Sequence, residues 1–298
     1  MTNFYSNGKV LLSGEYVVLY GAEAIGLPTK MGQSLTVHNR DDNFIEWISF
    51  NINKKIWFNC IFKNASLTIL KTNEPKIAKR LQGILKIVRE LNPEFLLSGK
   101  TIKTTLDFDF RWGLGSSSTL INNIAQWAKI NPYDLLKKTF GGSGYDIACA
   151  SNNSPILFSS NSNKQVIKPV NFNPKFKDNL FFIYQNKMQN SQKSILDFQN
   201  KAYIGSSIID EVSMISNKLL LCSSIDEFSK LINTHEAIIS KLLKTNPLIK
   251  NFPDYNGVIK SLGAWGGDFF LAIGPENSME YFKKKGMNIS FSFDDFLL

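Results

Sequence analysis

Alternation of apolar and polar positions dominates the first third of the chain and predicts β-strands. Residues 9–20 read as a strand that enters a turn at Gly21. Further strands are predicted over residues 34–38, 44–50, 56–62, 66–70 and 101–108. The first third is therefore expected to form a meander.

The hydrophobic period then changes to that of amphipathic helices. A helix is predicted from Pro75 to Leu91, because apolar residues recur there every three or four positions. The same spacing predicts helices over residues 116–130, 191–221, 225–244 and 277–285, and short apolar runs predict strands over 180–184 and 269–273. Strands and helices are intermixed without strict alternation, which favours an α+β fold over a doubly wound sheet.

The middle of the chain contains the strongest loop signals, at residues 161–163, Pro169 and Pro174. A length of 298 residues permits one large domain or two intimate ones. We therefore predict two domains, residues 1–165 and residues 166–298.

Composition and charge narrow the functional classes. No apolar stretch approaches the roughly 18 residues of a membrane span, and the N-terminus lacks the pattern of a signal peptide. Three widely spaced cysteines indicate reduced thiols and a cytoplasmic location. The formal charge of +9 is spread along the chain, which favours a small anionic substrate over nucleic acid. We expect a monomer or a homodimer that does not associate with a membrane.

A turn rich in glycine and serine, residues 112–118, lies between a predicted strand and a predicted helix. Glycines allow the backbone to approach an anion, and a helix N-terminus offers unpaired N–H groups, so the turn can bind phosphate. An ordinary strand-to-helix turn with serine N-caps explains the pattern about equally well. The dinucleotide-binding pattern fails because Ser118 stands where its third glycine belongs.

Two further glycine clusters surround acidic residues. Asp146 follows Gly141, Gly142 and Gly144, and an aspartate in such a loop can hold a metal or accept a proton. Residues 263–268 form the other cluster, which precedes a predicted buried strand. Each cluster alone is also compatible with a simple turn, but three such clusters in one chain favour a phosphate-handling protein. His38 and His235 form no metal motif, and we interpret both as structural.

Together these segments resemble the galactokinase, homoserine kinase, mevalonate kinase and phosphomevalonate kinase superfamily, the GHMP kinases. The similar segments occur in the family's order along essentially the whole chain. Residues 7–21 resemble the family's N-terminal Gly-Lys and Gly-Glu segment, 113–118 its phosphate-binding turn, 144–148 its catalytic Gly-x-Asp-x-Ala, 263–268 its C-terminal glycine loop and 186–191 a Thr-Lys-x-x-x-Ser stretch of mevalonate kinases.

The resemblance implies a two-part α+β fold, with an N-terminal half like the second domain of ribosomal protein S-five and a ferredoxin-like C-terminal half. It implies ATP and Mg²⁺ as cofactors and Lys9 and Asp146 as catalytic residues. The implied ATP-binding residues are Gly113, Leu114, Gly115, Ser116, Ser117 and Ser118. The implied substrate-binding residues are Glu15, Gly144, Tyr145, Lys187, Gly263 and Ala264.

The metal site and the acceptor are less directly implied. Mevalonate kinases carry a magnesium-binding Glu before the catalytic Asp, but residues 131–144 contain no Glu, so Ser117 is the expected metal ligand. Mevalonate or phosphomevalonate, in isoprenoid biosynthesis, is the expected acceptor, and homoserine or a sugar is also possible. Two alternatives stay open: a diphosphomevalonate decarboxylase of the same fold, and a non-catalytic nucleotide-binding relative, against which the presence of Lys9, Ser117 and Asp146 argues.

Overall fold

The computed structural model describes residues 1–161, 164–189, 191–200 and 204–298. The strands are β1 (Thr2–Leu11), β2 (Ala24–Asn39), β3 (Phe44–Phe50), β4 (Ile56–Lys63), β5 (Thr68–Thr72), β6 (Lys100–Leu106), β7 (Ile156–Asn161), β8 (Lys164–Pro169), β9 (Leu180–Tyr184), β10 (Val258–Ser261), β11 (Phe269–Ile273) and β12 (Ser290–Ser292). The helices are α1 (Pro75–Leu91), α2 (Ser116–Ala128), α3 (Pro132–Thr139), α4 (Tyr145–Ser151), α5 (Ser191–Gln199), α6 (Ser206–Leu221), α7 (Ile225–Leu243), α8 (Ser278–Lys284) and α9 (Phe293–Phe296).

The chain divides into two compact units that are both discontinuous in sequence. Unit 1 contains Met1–Gly8, Met31–Phe110 and Leu114–Ser151, and unit 2 contains Lys9–Lys30, Arg111–Gly113 and Asn152–Leu298. Strands β1 and β2 contribute residues to both units. The division at residues 165 and 166 stays a prediction, and the two units follow a different partition of the chain.

Unit 1 is built on a mixed sheet. Its strands lie in the order β5-β4-β3-β6-β2, and β3 and β6 are parallel while the other neighbours are antiparallel. Residues alternate between buried and more exposed along β3, which places Trp47 in the core with Phe58 and Phe62 of β4. Helices α1 and α2 supply the opposing apolar residues, including Leu85 and Ile121. The sheet thus has one face covered by helices.

Helix α1 shows how directly the apolar spacing specifies structure. It starts at Pro75. Proline has no N–H group, but no hydrogen bond is lost, because the N–H of the first helical residue would have no acceptor within the helix. Its buried residues recur at helical spacing and form one stripe: Ala78, Leu81, Ile84, Leu85 and Val88. The predicted range, Pro75 to Leu91, is confirmed.

Unit 2 contains a four-stranded antiparallel sheet in the order β10-β11-β9-β12. Every residue of β9 and β11 is buried, which explains why these strands read as continuous apolar runs. In the same unit the first residues of β2 pair with β7, and β7 pairs with β8. Among the residues described, no helix combines the length and apolar character needed to cross a membrane.

The predicted bounds of the first strand are wrong. The strand predicted over residues 9–20 ends at Leu11, because Gly14 turns the chain at φ +87° and a 3₁₀ turn follows over Val17–Tyr20. The apolar character of Val17 and Val18 reflects a buried turn, which a short apolar run cannot distinguish from a strand.

The loop-like middle also contains more structure than the sequence predicts. Strands β7 and β8 form an antiparallel pair, and residues 162 and 163 between them lie outside the described residues. Strand β8 alternates between exposed and half-buried positions and ends at Pro169. A proline is tolerated at the end of such an edge strand, so its loop signal was misleading.

Candidate active site

The predicted phosphate turn is the start of helix α2. Gly115 is its N-cap residue and adopts φ +89°, a left-handed conformation that glycine adopts without strain. The first intrahelical bond runs from the Thr119 N–H to the Gly115 carbonyl, 2.9 Å. The N–H groups of the first helical turn therefore have no earlier carbonyl to bond, and a glycine cap has no side chain to satisfy them.

Some side chains of this turn are buried or hydrogen-bonded within the protein, and others are accessible to a ligand. Leu114 is fully buried, and the Thr119 hydroxyl donates to Gln33 Oε1 at 2.8 Å. The Ser118 hydroxyl donates back to the Gly115 carbonyl at 2.9 Å. Ser117 is exposed, so its hydroxyl is available to a ligand. Unpaired amides, the helix dipole and a glycine cap fit an anionic phosphate chain.

Asp146 lies in the first turn of α4, next to Tyr145 and the fully buried Ile147. Gly144 precedes this helix at φ +91°, and an added Cβ there would lie 3.0 Å from the Tyr133 ring. The close packing explains why a glycine stands at this position. Helices α2 and α4 pack against each other within unit 1.

Unit 2 holds the other predicted residues, starting with Lys9 on β1 and Gly113 at the beginning of the turn. Gly113 has φ +71°, and a Cβ there would lie 2.2 Å from the Asp268 carboxylate carbon. Lys9 is 9% exposed. Burial raises the pKa of Asp268, while the N–H of Gln189 and the charge of Lys9 lower it. Gly113 and Asp268 thus lie directly against each other.

The glycine loop at residues 263–268 contains a tryptophan where the family pattern has glycine. Its indole packs with Tyr16 and Phe198 in a core cluster and is 6% exposed. The Trp265 N–H donates to the Tyr16 hydroxyl at 3.2 Å, and its carbonyl accepts from Gln189 Nε2 at 2.7 Å. Trp265 therefore anchors the loop. Gly263 has φ +63° and open space around its Cβ position, and Ala264 follows it.

Glu15 and Lys187, both predicted to bind substrate, have very different surroundings. The Glu15 side chain is 1% exposed and paired with the buried ammonium of Lys260. Burial raises the pKa of Glu15 to about 7, against the opposing effect of Lys260. The Lys187 side chain is exposed, and its carbonyl accepts from the Asp268 N–H at 2.7 Å.

Sequence reasoning missed a buried ionic cluster around Glu15. Lys260 Nζ also lies 3.1 Å from Glu236 Oε1, and His235 Nε2 accepts from the Gly14 N–H at 3.0 Å. Burial holds the pKa of His235 well below its usual value, so the imidazole is neutral. The interpretation of His235 as structural agrees with this position. Lysine and glutamate in a sequence are ordinarily predicted to lie at the surface, so only the structure shows that these two are buried.

The described residues contain no group of three His, Cys, Asp or Glu side chains arranged to hold a metal ion. The exposed Ser117 hydroxyl at the glycine-capped start of α2 is an oxygen ligand that would suit a magnesium ion held largely by phosphate oxygens. The roles predicted for the individual site residues remain predictions.

No protein-family model and no curated protein matches the sequence. Solved structures match the fold over nearly the whole chain. Mevalonate kinase from Methanococcus jannaschii has a TM-score of 0.71 and 17% identity, covering 97% of this chain and 96% of that one. L. major mevalonate kinase in complex with R-mevalonate has a TM-score of 0.69 and 15% identity, covering 98% and 95%.

Streptococcus pneumoniae phosphomevalonate kinase, in complex with phosphomevalonate and AMPPNP, matches with a TM-score of 0.67 and 16% identity over 98% of this chain and 100% of that one. These similarities, at low identity, establish the fold. The chain therefore has the two-part α+β fold of GHMP kinases, as the sequence predicts.

Proposed function

We propose that this protein is an ATP-dependent kinase that transfers the γ-phosphoryl group to a small anionic acceptor. The observation that carries the proposal is the glycine-capped N-terminus of α2 on a GHMP kinase fold. Its unpaired amides suit phosphate groups, and the exposed Ser117 hydroxyl suits a metal ion bound to them. The net charge of +9 supports anionic ligands.

Phosphoryl transfer depends mainly on in-line positioning and on neutralising charge. Backbone N–H groups of residues 113–118 bind the phosphates in this proposal, and Ser117 ligates Mg²⁺. When bound, Mg²⁺ would neutralise charge on the phosphate oxygens. Asp146 orients the acceptor oxygen or takes its proton, and Lys9 stabilises the negative charge that develops. An acceptor that is itself a phosphate requires no base.

We propose mevalonate or phosphomevalonate as the acceptor. Both are anionic, which agrees with the positive net charge, and Lys187 offers an exposed cation in unit 2. A cytoplasmic location and a monomeric or dimeric state belong to the same proposal.

The test is kcat/KM for mevalonate, phosphomevalonate, homoserine and galactose under identical conditions with Mg·ATP. We expect one of the first two to be preferred. A wide preference for homoserine or galactose would refute the proposal of an isoprenoid-pathway acceptor, but the proposal of kinase activity would stand. Release of carbon dioxide from diphosphomevalonate would identify a decarboxylase. Nucleotide binding without turnover of any acceptor would identify a non-catalytic relative.

A further inference from the structure

Gln189 connects the glycine loop at residues 263–268 to the start of helix α5. Its side-chain Nε2 donates to the Trp265 carbonyl at 2.7 Å and to the Ser194 hydroxyl at 3.2 Å. Its backbone N–H donates to Asp268 Oδ1 at 3.0 Å. This one residue therefore bonds two positions of the loop and one position of α5.

The rest of the segment over residues 185–189 lies along the same loop. Gln185 Nε2 donates to the Gly267 carbonyl at 2.8 Å. The Asp268 N–H donates to the Lys187 carbonyl at 2.7 Å, and the Asp268 carbonyl accepts from the Gln185 N–H at 2.9 Å. Two glutamine carboxamides thus bond carbonyls of the loop, while the backbone of the segment bonds its last residue.

Two glycines permit this close contact. A Cβ on Gly267 would lie 2.7 Å from the Lys187 carbonyl oxygen and 3.0 Å from Gln189 Cβ, and a Cβ on Gly266 would lie 3.4 Å from Gln189 Nε2. Glycine loses more conformational freedom on ordering than any other residue. A loop with adjacent glycines therefore depends on hydrogen bonds from its neighbours to keep one conformation.

The loop is also bonded on the side of Tyr16. The Tyr16 hydroxyl accepts from the Trp265 N–H at 3.2 Å, and both aromatic rings lie in one buried cluster with Phe198. Tyr16, Gln189 and Trp265 belong to three different segments on which the family resemblance rests. Hydrogen bonds through Gln189 and Trp265 therefore join these three segments within unit 2.

We propose that Gln189 is a positioning residue whose carboxamide holds the glycine loop in the conformation that receives the acceptor. This inference rests on the proposed kinase function, in which Gly263 and Ala264 of the loop contact the acceptor. Gln189 acts through the loop and contacts no reacting atom. A loosened loop would lower the fraction of molecules that is competent to bind the acceptor, and the apparent affinity would fall by the same factor.

Gln189→Met tests the proposal. Methionine removes the hydrogen-bonding carboxamide, while the backbone N–H that donates to Asp268 is retained. We expect KM for the preferred acceptor to rise about 3–10-fold, the factor that corresponds to one net hydrogen bond. At saturating acceptor, kcat should stay within about twofold of wild type, because a loss of binding common to ground and transition states raises KM alone. The Kd of Mg·ATP should also stay within about twofold, since the amides at the start of α2 are retained.

Two further variants accompany this substitution. Gln189→Asn keeps the carboxamide but shortens its reach by one methylene, so it should raise KM by a similar factor. Gln165→Met is the matched control, because Gln165 is a partly exposed glutamine on β8 in the same unit. It should leave KM unchanged. A wild-type KM in both Gln189 variants, an equal rise in the control, or a lower kcat at unchanged KM would each overturn the proposal.

A measurement without turnover separates this inference from the proposed function. Amide hydrogen exchange, followed by NMR, reports local opening of the loop. In Gln189→Met the Gly267 and Asp268 amides should exchange about 3–10-fold faster, because the same hydrogen bond is lost. The Leu271 amide, in the buried strand β11, should be unaffected. Equal loop exchange in wild type and variant would refute the positioning role even in an active kinase. Faster loop exchange, in a protein whose wild type turns over no acceptor, would refute only the kinase function.

Discussion

Replacing Lys260 with methionine should destabilise the protein strongly. Among the described residues, Lys260 is the only cation in the buried cluster around Glu15, and the substitution removes its charge. Lys260 is fully buried, pairs with Glu15 and lies 3.1 Å from Glu236. The two glutamates are 1% and 4% exposed. Both carboxylates would be left in the core without a countercharge.

The expected loss is about 3–5 kcal/mol, the cost of breaking a buried ion pair by removing one partner. That is a large share of a typical unfolding free energy of about 5–15 kcal/mol. Glu15→Gln should cost less, under about 2 kcal/mol, because Lys260 keeps Glu236 and only a charge-assisted hydrogen bond is weakened. Each substitution almost preserves the side-chain volume, so comparing the two variants tests the effect of an unbalanced buried charge on the unfolding free energy.

The pH dependence follows from the raised pKa of Glu15, about 7 in the folded protein against an ordinary 4.5. The folded state holds a proton that the unfolded state releases between these values. The stabilisation from this proton is complete below pH 4.5 and is lost as pH rises through about 7. The difference corresponds to roughly 3 kcal/mol. Glu15→Gln should remove this pH-dependent part of the unfolding free energy. The destabilisation caused by Lys260→Met should be smallest at acidic pH.

Urea unfolding, followed by circular dichroism and tryptophan fluorescence at about pH 5 and about pH 8, gives the free energies. A Lys260→Met variant within about 1 kcal/mol of wild type at the higher pH would refute the reasoning, because it would show that the carboxylates are not held ionised. Equal losses in the two variants would also refute it, because packing rather than charge would then dominate.

Three further changes test the proposed site. Gly115→Val should weaken Mg·ATP binding at least about tenfold in calorimetry, because φ +89° and close phosphate approach both exclude a branched side chain; unchanged affinity in a folded variant would place the nucleotide elsewhere. Asp146→Asn should retain nucleotide binding and lower kcat by about 10²–10⁴-fold, and wild-type turnover would remove Asp146 from the mechanism. Gly113→Ala should lower Tm through an unfolding loss of about 1–3 kcal/mol, because the new Cβ meets the Asp268 carboxylate; an unchanged Tm would show that the loop adapts freely.

Local pattern was sufficient for the elements that bury a regular face. Phe44–Phe50, Pro75–Leu91, Leu180–Tyr184 and Phe269–Ile273 have the predicted bounds, because each presents a clear apolar face or a continuous apolar run. The predicted helix over residues 191–221 is instead two helices, α5 and α6, with residues 201–203 between them outside the described residues.

The candidate site was predictable where glycine itself is the signal. Positive φ at Gly113, Gly115 and Gly144 explains why these positions carry glycine. The contacts of Asp268 and the Lys260 cluster could not be predicted, since they join residues separated by up to 245 positions. Single charged residues give no local signal of burial, and only tertiary packing decides which of them meet.

The discontinuity of unit 2 has a consequence for biosynthesis. Thr29 forms a β-bridge with Leu297, and the Leu298 N–H donates to the Pro28 carbonyl at 3.2 Å. The segment Lys9–Lys30 is synthesised long before these two partners. All of the residues of unit 1 are available once Ser151 has emerged, so unit 1 can fold during translation. The lysine proposed to act in catalysis lies in this early segment, so its own unit can complete its fold only after residues 297 and 298 have been synthesised.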